Sequence, residues 1–286
     1  MKKAEVVKMI MGNKSKTPSK KEGVAFAPAN IALCKYWVKR IEYLNIPITS
    51  SLSVSLGTLG SRTRVTINPG CDVILLNHKP VAVRSKFAKG AVNYLNLFRP
   101  SPDTFFKIET ENSIPTAAGL ASSASGFAAL ALALNDLFEW NLDKKSLSIL
   151  ARLGSGSACR SLYEGFVEWH AGASDDGMDS FAEPLETGWP DLRIGLLTVS
   201  DEEKAIGSRQ AMKRTKRTSA LYGSWPIKVA HDLSMIKEAI QLGDFELLGK
   251  VAESNALAMH ATALASWPPI LYWKPESVMI MHGIWL

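Results

Sequence analysis

The stretch that decides the fold is SIPTAAGLASSASGFAALALALNDLFEW, residues 113–140. Its second half, from about Ser122 to Trp140, is rich in Ala and Leu, which favour helix. Apolar residues would lie on nearly every side of that helix, so we expect it to be buried. The first half is a run of small residues that leads directly into the helix.

This small-residue run is a candidate phosphate-binding loop. Small side chains let a backbone approach a ligand closely, and the free N–H groups at a helix start attract phosphate. The run supplies Gly119, Leu120, Ser122, Ser123 and Ser125 as candidate ATP contacts. A hydroxyl such as that of Ser123 can also bind a phosphate-bound magnesium ion. The lysine of a Walker A loop is absent, and tight packing of an Ala/Ser-rich helix is the alternative interpretation.

The segments around this helix predict an α+β fold. Alternation of polar and apolar residues predicts strands at 50–59, 61–70, 71–77, 81–84, 104–112 and 163–171. Helices are expected at 87–98 and 141–154, the latter with Asp143 as N-cap. An apolar strand at 191–200 is followed by predicted helices at about 202–218, 225–242, 245–265 and from Pro275. We therefore expect a flexible Lys-rich tail at 1–23, an N-terminal domain at 24–190 and a C-terminal domain at 191–286.

Composition narrows the class of protein. The chain has 286 residues and a net charge of +6, but residues 1–22 hold seven lysines against two glutamates and so carry +5. The rest is nearly neutral, which argues against a nucleic-acid-binding surface. No apolar run is long enough for a membrane span, and the start lacks the apolar core of a signal peptide. Three cysteines without CxxC spacing are typical of a reduced, cytoplasmic protein.

Three further segments carry candidate binding residues. Gly154 to Arg160 is a small, hydroxyl-rich turn that ends in an arginine, whose planar fork suits carboxylate or phosphate. Lys35 to Arg40 interleaves cations with aromatic residues, and Gly207 to Arg214 is a basic helix start. Helix capping and solvated surface charge are the alternative interpretations of these segments. The five histidines show no metal spacing, and SDDGMDS, residues 174–180, most simply forms a turn.

Six segments together resemble the mevalonate diphosphate decarboxylase family of the GHMP kinase superfamily. They span residues 27–277 in the order APANIALCKYWVKR, IPITSSLSVSL, IPTAAGLASSASGFAALA, ARLGSGSACRSLYEGFVEW, DDGMDSFA and YWKPES. Six motifs in register are far more specific than any one of them. The resemblance implies a GHMP-kinase-like two-domain α+β fold with ATP and substrate in the cleft between the domains.

The resemblance also implies an activity and the residues for it. The family uses ATP and Mg²⁺ to convert mevalonate 5-diphosphate to isopentenyl diphosphate, in isoprenoid biosynthesis. By motif match, Tyr36, Lys39, Arg209 and the backbone of Met212 would hold the substrate diphosphate. Ser155, Ser157 and Arg160 would position the substrate carboxylate, with Arg160 and Ser155 as catalytic residues. The remaining expected partner is a second copy of the chain, in a homodimer.

The chain departs from the family pattern at three places. Val38 and Ile41 stand where the family commonly has glycine and an acidic residue. The family also takes a catalytic aspartate from a later loop resembling Met-Asp-Ala-Gly-Pro-Asn, and no such segment occurs in the 286 residues. The resemblance therefore predicts slow or absent turnover and exposed apolar surface on the helix at 275–286. The alternatives are a ligand-binding relative without turnover and a kinase of mevalonate derivatives that does not decarboxylate.

Overall fold

The main element of the fold is a seven-stranded β-sheet. The computed structural model describes residues 1–113, 122–200, 202 and 204–286, but not the side chain of Ser122. The long strand β4 lies at the centre of the sheet and pairs with β1, β7 and β8. All pairings are antiparallel except that of β5 with β7. The strands are β1 (Glu22–Cys34), β2 (Lys39–Ile41), β3 (Ile46–Pro47), β4 (Ser51–Asn68), β5 (Val73–Leu76), β6 (Lys79–Pro80), β7 (Phe105–Asn112), β8 (Phe166–Trp169) and β9 (Ala182–Pro184).

The described residues form eight α-helices, and all but the last contribute buried residues to the hydrophobic clusters beside this sheet. The helices are α1 (Lys3–Met11), α2 (Lys86–Leu95), α3 (Ser122–Leu137), α4 (Lys144–Gly154), α5 (Ser208–Thr218), α6 (Trp225–Leu242), α7 (Phe245–Leu264) and α8 (Pro275–Trp285), with short 3-10 turns at Gly156–Leu162 and Tyr222–Ser224. A first hydrophobic cluster joins the sheet to α1–α4, and a second joins it to α5–α7. The mixed composition confirms the predicted α+β class.

The deciding helix is confirmed as α3, which ends at Leu137, three residues earlier than expected. Its Ala and Leu side chains, from Ala128 to Leu137, fill the first cluster. Asp143 caps α4 as predicted, because its carboxylate accepts the backbone N–H of Ser146 at 2.8 Å. The two strands predicted at 50–59 and 61–70 are one continuous strand, β4. The strand predicted at 81–84 is wrong, since pairing on that side stops at Pro80.

The expectation of a flexible tail is wrong for the start of the chain. Residues 3–11 form α1, which buries Val6, Val7 and Met11 in the first cluster. The following segment is also attached, since Lys20 pairs with Asp136 at 2.5 Å and Trp140 donates to the backbone of Ser15. The prediction rested on the number of lysines and overlooked the apolar residues at positions 6, 7, 10 and 11. Their spacing is that of one face of a helix.

The strand predicted at 191–200 is also wrong, because residues 192–199 form no ladder in the structure. Leu197 is 74% exposed. A strand needs a hydrogen-bonded neighbour, and no described residue after Pro184 lies in a strand. Helix α8 buries none of its residues, so the apolar surface expected there is present. Helices α6 and α7 lie where they were predicted.

Candidate active site

A cleft of about 1000 Å³ lies between the sheet and the helices that follow it. Eight lysines and arginines line it, and the described lining residues include no Asp or Glu. The excess of positive charge favours a polyanionic ligand. The cations are Lys35, Lys39, Lys86, Lys89, Arg160, Lys204, Arg209 and Lys213.

Arg160 is the most buried cation of the cleft, with 2% of its surface exposed. Its Nη1 donates to Ser51 Oγ at 2.5 Å and its Nη2 to Asn30 Oδ1 at 3.3 Å. Its guanidinium also lies 5.7 Å from the centre of the Trp169 ring. Burial is the main cause that lowers the pKa of Arg160. Neutral partners hold the group in place without neutralising it, so a buried charge faces the cleft uncompensated.

Tyr36 presents a hydroxyl beside this arginine. Its ring packs edge-on against Trp169 at 4.7 Å, and no described group bonds to its buried hydroxyl. Burial raises the pKa of Tyr36, so the hydroxyl remains a donor. A Cβ at Gly156 would lie 2.9 Å from that hydroxyl, which explains the glycine in the predicted turn. Tyr36 is therefore fixed with a free donor, which suits a phosphate oxygen.

The hydroxyl residues of the two small-residue runs separate into two groups. Ser155 and Ser157 line the cleft together with Ser123, whose Oγ lies 3.4 Å from that of Ser155. Ser125 does not line the cleft, contrary to the prediction, because it is fully buried and bonds to Ser61 at 2.7 Å. Helical phase turns it toward the sheet. The predicted contacts Gly119 and Leu120 lie outside the described residues, as does the side chain of Ser122.

The other predicted residues meet at the opposite end of the cleft. Arg209 and Met212 come from α5 and lie beside Lys39 of β2. Lys39 Nζ donates to Asn45 Oδ1 at 2.6 Å. Burial, followed by the charges of Arg209 and Lys3, lowers the pKa of Lys39 to about 8. The structure thus brings Tyr36 and Lys39 to the same cleft as Arg209 and Met212, which lie 170 or more positions later in the sequence.

Sequence reasoning missed several residues of the cleft. Asn30 holds Arg160, and His260, one of the five histidines without metal spacing, lines the wall from α7. Burial is the largest cause that lowers the pKa of His260 to about 4, so this imidazole is neutral at pH 7. These residues carry no local signal of a shared site, because they come from distant segments: β1, α2, the residues before α5, and α7. The others are Lys86, Lys89, Asn93 and Lys204.

A buried polar chain positions the segment that carries Lys35. Asn255 Oδ1 accepts the backbone N–H of Lys35 at 2.8 Å, and Asn255 Nδ2 donates to Asp232 Oδ2 at 2.8 Å. Lys228 pairs with Asp232 at 3.1 Å. Helices α6 and α7 thereby fix the end of β1 at the cleft.

The remaining reactive side chains lie outside the cleft or are inert. Burial raises the pKa of Cys34 and of Cys159 to about 12, so both thiols act as packing groups. Asp179 accepts the backbone N–H groups of Ala173 and Ser174, which confirms the predicted turn. No group of metal-ligating side chains occurs among the described residues. No described helix is long and apolar enough to cross a membrane.

Val38 has a φ of +74°. A β-branched residue is strained in this left-handed region, which explains why a glycine is common there in the family that the sequence resembles. Val38 is nevertheless buried in the second hydrophobic cluster. Its side-chain burial offsets the backbone strain.

Comparisons with known proteins cover nearly all of the chain. Residues 27–182 match the family model described as diphosphomevalonate decarboxylase-like N-terminal domain. Residues 194–285 match the mevalonate 5-diphosphate decarboxylase C-terminal domain. The chain is 41% identical over 281 residues to diphosphomevalonate decarboxylase of Aspergillus fumigatus, covering 90% of this chain and 70% of the relative.

Solved structures give the same result. Mevalonate diphosphate decarboxylase from Staphylococcus aureus is 42% identical, with a TM-score of 0.81, over 92% of this chain and 80% of that one. A chain described as MDDEF in complex with MVAPP, AMPPCP and magnesium is also 42% identical. Its TM-score is 0.80, over 92% of this chain and 81% of that one.

Proposed function

Because the chain belongs to the diphosphomevalonate decarboxylase family, we propose that its cleft binds mevalonate 5-diphosphate and ATP for ATP-dependent decarboxylation to isopentenyl diphosphate. The observation that carries this proposal is the buried, uncompensated Arg160 in a cleft whose described lining is cationic. A substrate with a carboxylate at one end and a diphosphate at the other matches two separate cationic ends.

The substrate carboxylate fits the Arg160 end. The guanidinium is held by Ser51 and Asn30, and its Nε has no bonding partner among the described residues. Ser155 and Ser157 line the same end and add hydroxyl donors. A cation fixed before the ligand arrives needs no reorganisation as charge shifts during the reaction.

The substrate diphosphate fits the other end. The Lys39 ammonium and the Arg209 guanidinium provide charged donors there, and the Tyr36 hydroxyl, which interacts with both Arg160 and Arg209, adds a third donor. The backbone N–H of Met212 lies beyond the first turn of α5 and is therefore paired within the helix, contrary to the prediction. The three donor side chains have no acidic partner in the described residues. Charge-assisted bonds of this kind are shorter and stronger than neutral ones.

ATP is proposed to lie along the start of α3, with Ser123 near its phosphates. Lys86, Lys89 and Asn93 of α2 line the same side. Mg²⁺ usually keeps several waters and binds through phosphate oxygens and one or two protein oxygens. A single hydroxyl such as that of Ser123 fits this need, and Mg²⁺ would neutralise charge on the transferring phosphate.

The reaction has two stages. The tertiary hydroxyl of the substrate takes the terminal phosphoryl group of ATP and loses its proton, and ADP is released. The bond between the tertiary carbon and the new phosphate then breaks, so that phosphate leaves with the electron pair. The bond between the carboxylate and the adjacent CH₂ carbon breaks next, and CO₂ is released. The electron pair of that bond forms the double bond of isopentenyl diphosphate between the CH₂ carbon and the tertiary carbon. Positive charge at the tertiary carbon is transient between these steps.

A second candidate function rests on the lining of the cleft. A group must accept the hydroxyl proton, and a positioned base typically contributes roughly 10²–10⁴-fold. None of the described lining residues is a carboxylate, and Asp176 and Asp179 accept backbone N–H groups of their own turn. The alternatives to decarboxylation are therefore ligand binding without rapid turnover and phosphorylation without decarboxylation.

One assay separates these functions. The purified chain is incubated with mevalonate 5-diphosphate and Mg-ATP, and ADP and CO₂ are quantified separately. Equal amounts of both products would support the decarboxylase, and ADP alone would support the kinase. Tight binding of substrate without either product would support the binding protein, and absence of binding would refute all three. Cytoplasmic location and a homodimer stay predictions.

A further inference from the structure

A second cavity of about 390 Å³ continues from the diphosphate end of the cleft. The two cavities share Lys39, Arg209, Met212 and Lys213. The second cavity adds Lys3, the first residue of α1. A ligand held at Lys39 and Arg209 would therefore have Lys3 on its outer side.

Lys3 is held in a defined position. Its Nζ donates to the backbone oxygen of Leu153, at the end of α4, at 2.6 Å. Two buried valines of α1, Val6 and Val7, anchor the helix in the first hydrophobic cluster. An ammonium group has three N–H donors, so the bond to Leu153 leaves two for a ligand.

The charges around this second cavity do not balance. Five cations and one acid line it, and the acid, Glu42, pairs with Lys213 at 2.5 Å. No described acidic side chain forms an ion pair with Lys3, Lys39 or Arg209. Their mutual repulsion lowers the pKa of Lys3 and of Lys39, after burial as the largest cause. An anion with two or more negative charges would remove this repulsion.

We propose that Lys3 binds the outer phosphate group of the diphosphate substrate, so that α1 forms part of the substrate site. This inference rests on the proposed function for the identity of the ligand. Helix α1 lies outside residues 27–182 and 194–285, which match the family models. The contact is therefore supplied by a segment that the family motifs do not contain.

The alternative is a purely structural role. A lysine that bonds to the last carbonyls of a helix also stabilises the negative end of its dipole. Loss of that role would lower the stability of the fold and weaken every ligand alike. A ligand contact would instead weaken diphosphates selectively.

The test compares Lys3→Met with Lys3→Arg and with the control Lys8→Met, which removes an exposed charge from the same helix. Titration calorimetry measures binding of inorganic pyrophosphate, mevalonate 5-diphosphate, mevalonate 5-phosphate and Mg-ATP, and thermal unfolding is recorded for each variant. We expect Lys3→Met to weaken both diphosphates by about tenfold. The monophosphate and ATP should change less than threefold, roughly the effect of a screened charge. Lys3→Arg and Lys8→Met should bind as the parent does.

Three results would overturn the inference. The first is parental affinity of Lys3→Met for pyrophosphate, and the second is equal weakening of all four ligands with a lower unfolding temperature. The third is a parent chain that does not bind pyrophosphate. If the parent binds pyrophosphate in a Lys3-dependent manner but not mevalonate 5-diphosphate, the proposed function fails while the contact made by Lys3 stands.

Discussion

The two walls of the cleft hold their cations in opposite ways. The sheet wall, which comprises Tyr36, Lys39, Ser155 and Arg160, buries its charges, with Lys39 8% and Arg160 2% exposed. The helix wall, which comprises Arg209 and Lys213 of α5, carries its charges on exposed side chains. Both walls are cationic, but only the first holds its charges with neutral side chains from the protein interior.

This difference gives the two walls different roles: buried cations position a bound ligand, and exposed cations attract it. A buried charge acts through a low effective dielectric and is screened little by salt. An exposed charge is screened over a distance of about 8 Å at physiological ionic strength. The sheet wall should therefore fix the orientation of the substrate, and the helix wall should raise the rate of encounter.

Arg160→Leu should weaken mevalonate 5-diphosphate binding most. Truncating one member of a buried charge pair costs about 2–5 kcal/mol, because the remaining charge stays unpaired. Calorimetric affinity is the measurement. Arg217→Leu is the matched control, since Arg217 is exposed on α5 outside the cleft. Affinity of Arg160→Leu within threefold of the parent, about 0.7 kcal/mol, would contradict the assignment.

Replacing Ser122 and Ser123 together with alanine should weaken ATP binding. Two lost hydrogen bonds are worth about 1–3 kcal/mol, which a fluorescent nucleotide titration resolves. The control is Ser125→Ala. Ser125 bonds to Ser61 beneath the cleft, so that change should lower thermal stability and leave ATP affinity intact. Parental ATP affinity in the double variant would remove the start of α3 from the nucleotide site.

Substrate affinity should fall as the pH rises through about 8, where Lys39 loses its proton. At pH 9 about nine-tenths of Lys39 would be neutral in the free protein, so binding should weaken by up to about tenfold. Lys39→Arg should abolish this dependence because arginine stays charged. Folding stability should change with pH in the opposite direction to substrate affinity. The unfolded chain binds this proton more tightly, so stability should improve as the pH rises from 8 to 10.5.

A pH-independent affinity of the parent between pH 7 and 9.5 would show that Lys39 does not contact the anion. Binding of the substrate should itself raise the Lys39 pKa, which ¹³C NMR of labelled lysine can follow.

Arg209→Ala should have a smaller effect that depends on salt. Exposed ion pairs are worth about 0.2–1 kcal/mol, and screening reduces that further. Substrate affinity measured at low and at high salt should therefore converge with that of the parent as salt increases. The Arg160→Leu deficit should persist under the same conditions. A salt-independent deficit at Arg209 would place this residue with the sheet wall.

Val38→Gly should have the smallest effect of these changes, with almost no net change in the free energy of unfolding. Relief of the positive φ gains about 1–2 kcal/mol, while the lost side chain costs about 1.5–3 kcal/mol. The two nearly cancel. Val54→Gly is the control, because Val54 lies in the same cluster but in the extended strand β4. Chemical denaturation should show a clearly larger loss for Val54→Gly, and equal losses would mean that the Val38 backbone carries no strain.

The sequence by itself determined the elements whose signals are local. The Ala/Leu run specified α3, the side chain of Asp143 specified where α4 begins, and six motifs in order specified the family. Periodicity and caps act over a few residues, so they survive without knowledge of the rest of the chain. Of the residues that line the cleft, Arg160, Tyr36 and Lys39 were predicted from motifs, which record the site as a pattern along the chain.

Only the tertiary structure decided how those residues are used. Burial of Ser125 against Ser61, entry of His260 into the cleft and docking of Lys3 beside Lys39 all depend on contacts between distant segments. The strand predicted at 191–200 was wrong for the same reason, since strand formation also depends on contacts between distant segments. Apolar alternation predicts a strand, but its hydrogen bonds come from a neighbour that the local sequence does not name. The number of lysines in a segment likewise cannot show whether a given lysine is solvated or lies beside another cation. The neighbours of that lysine come from distant parts of the chain and are known only from the fold.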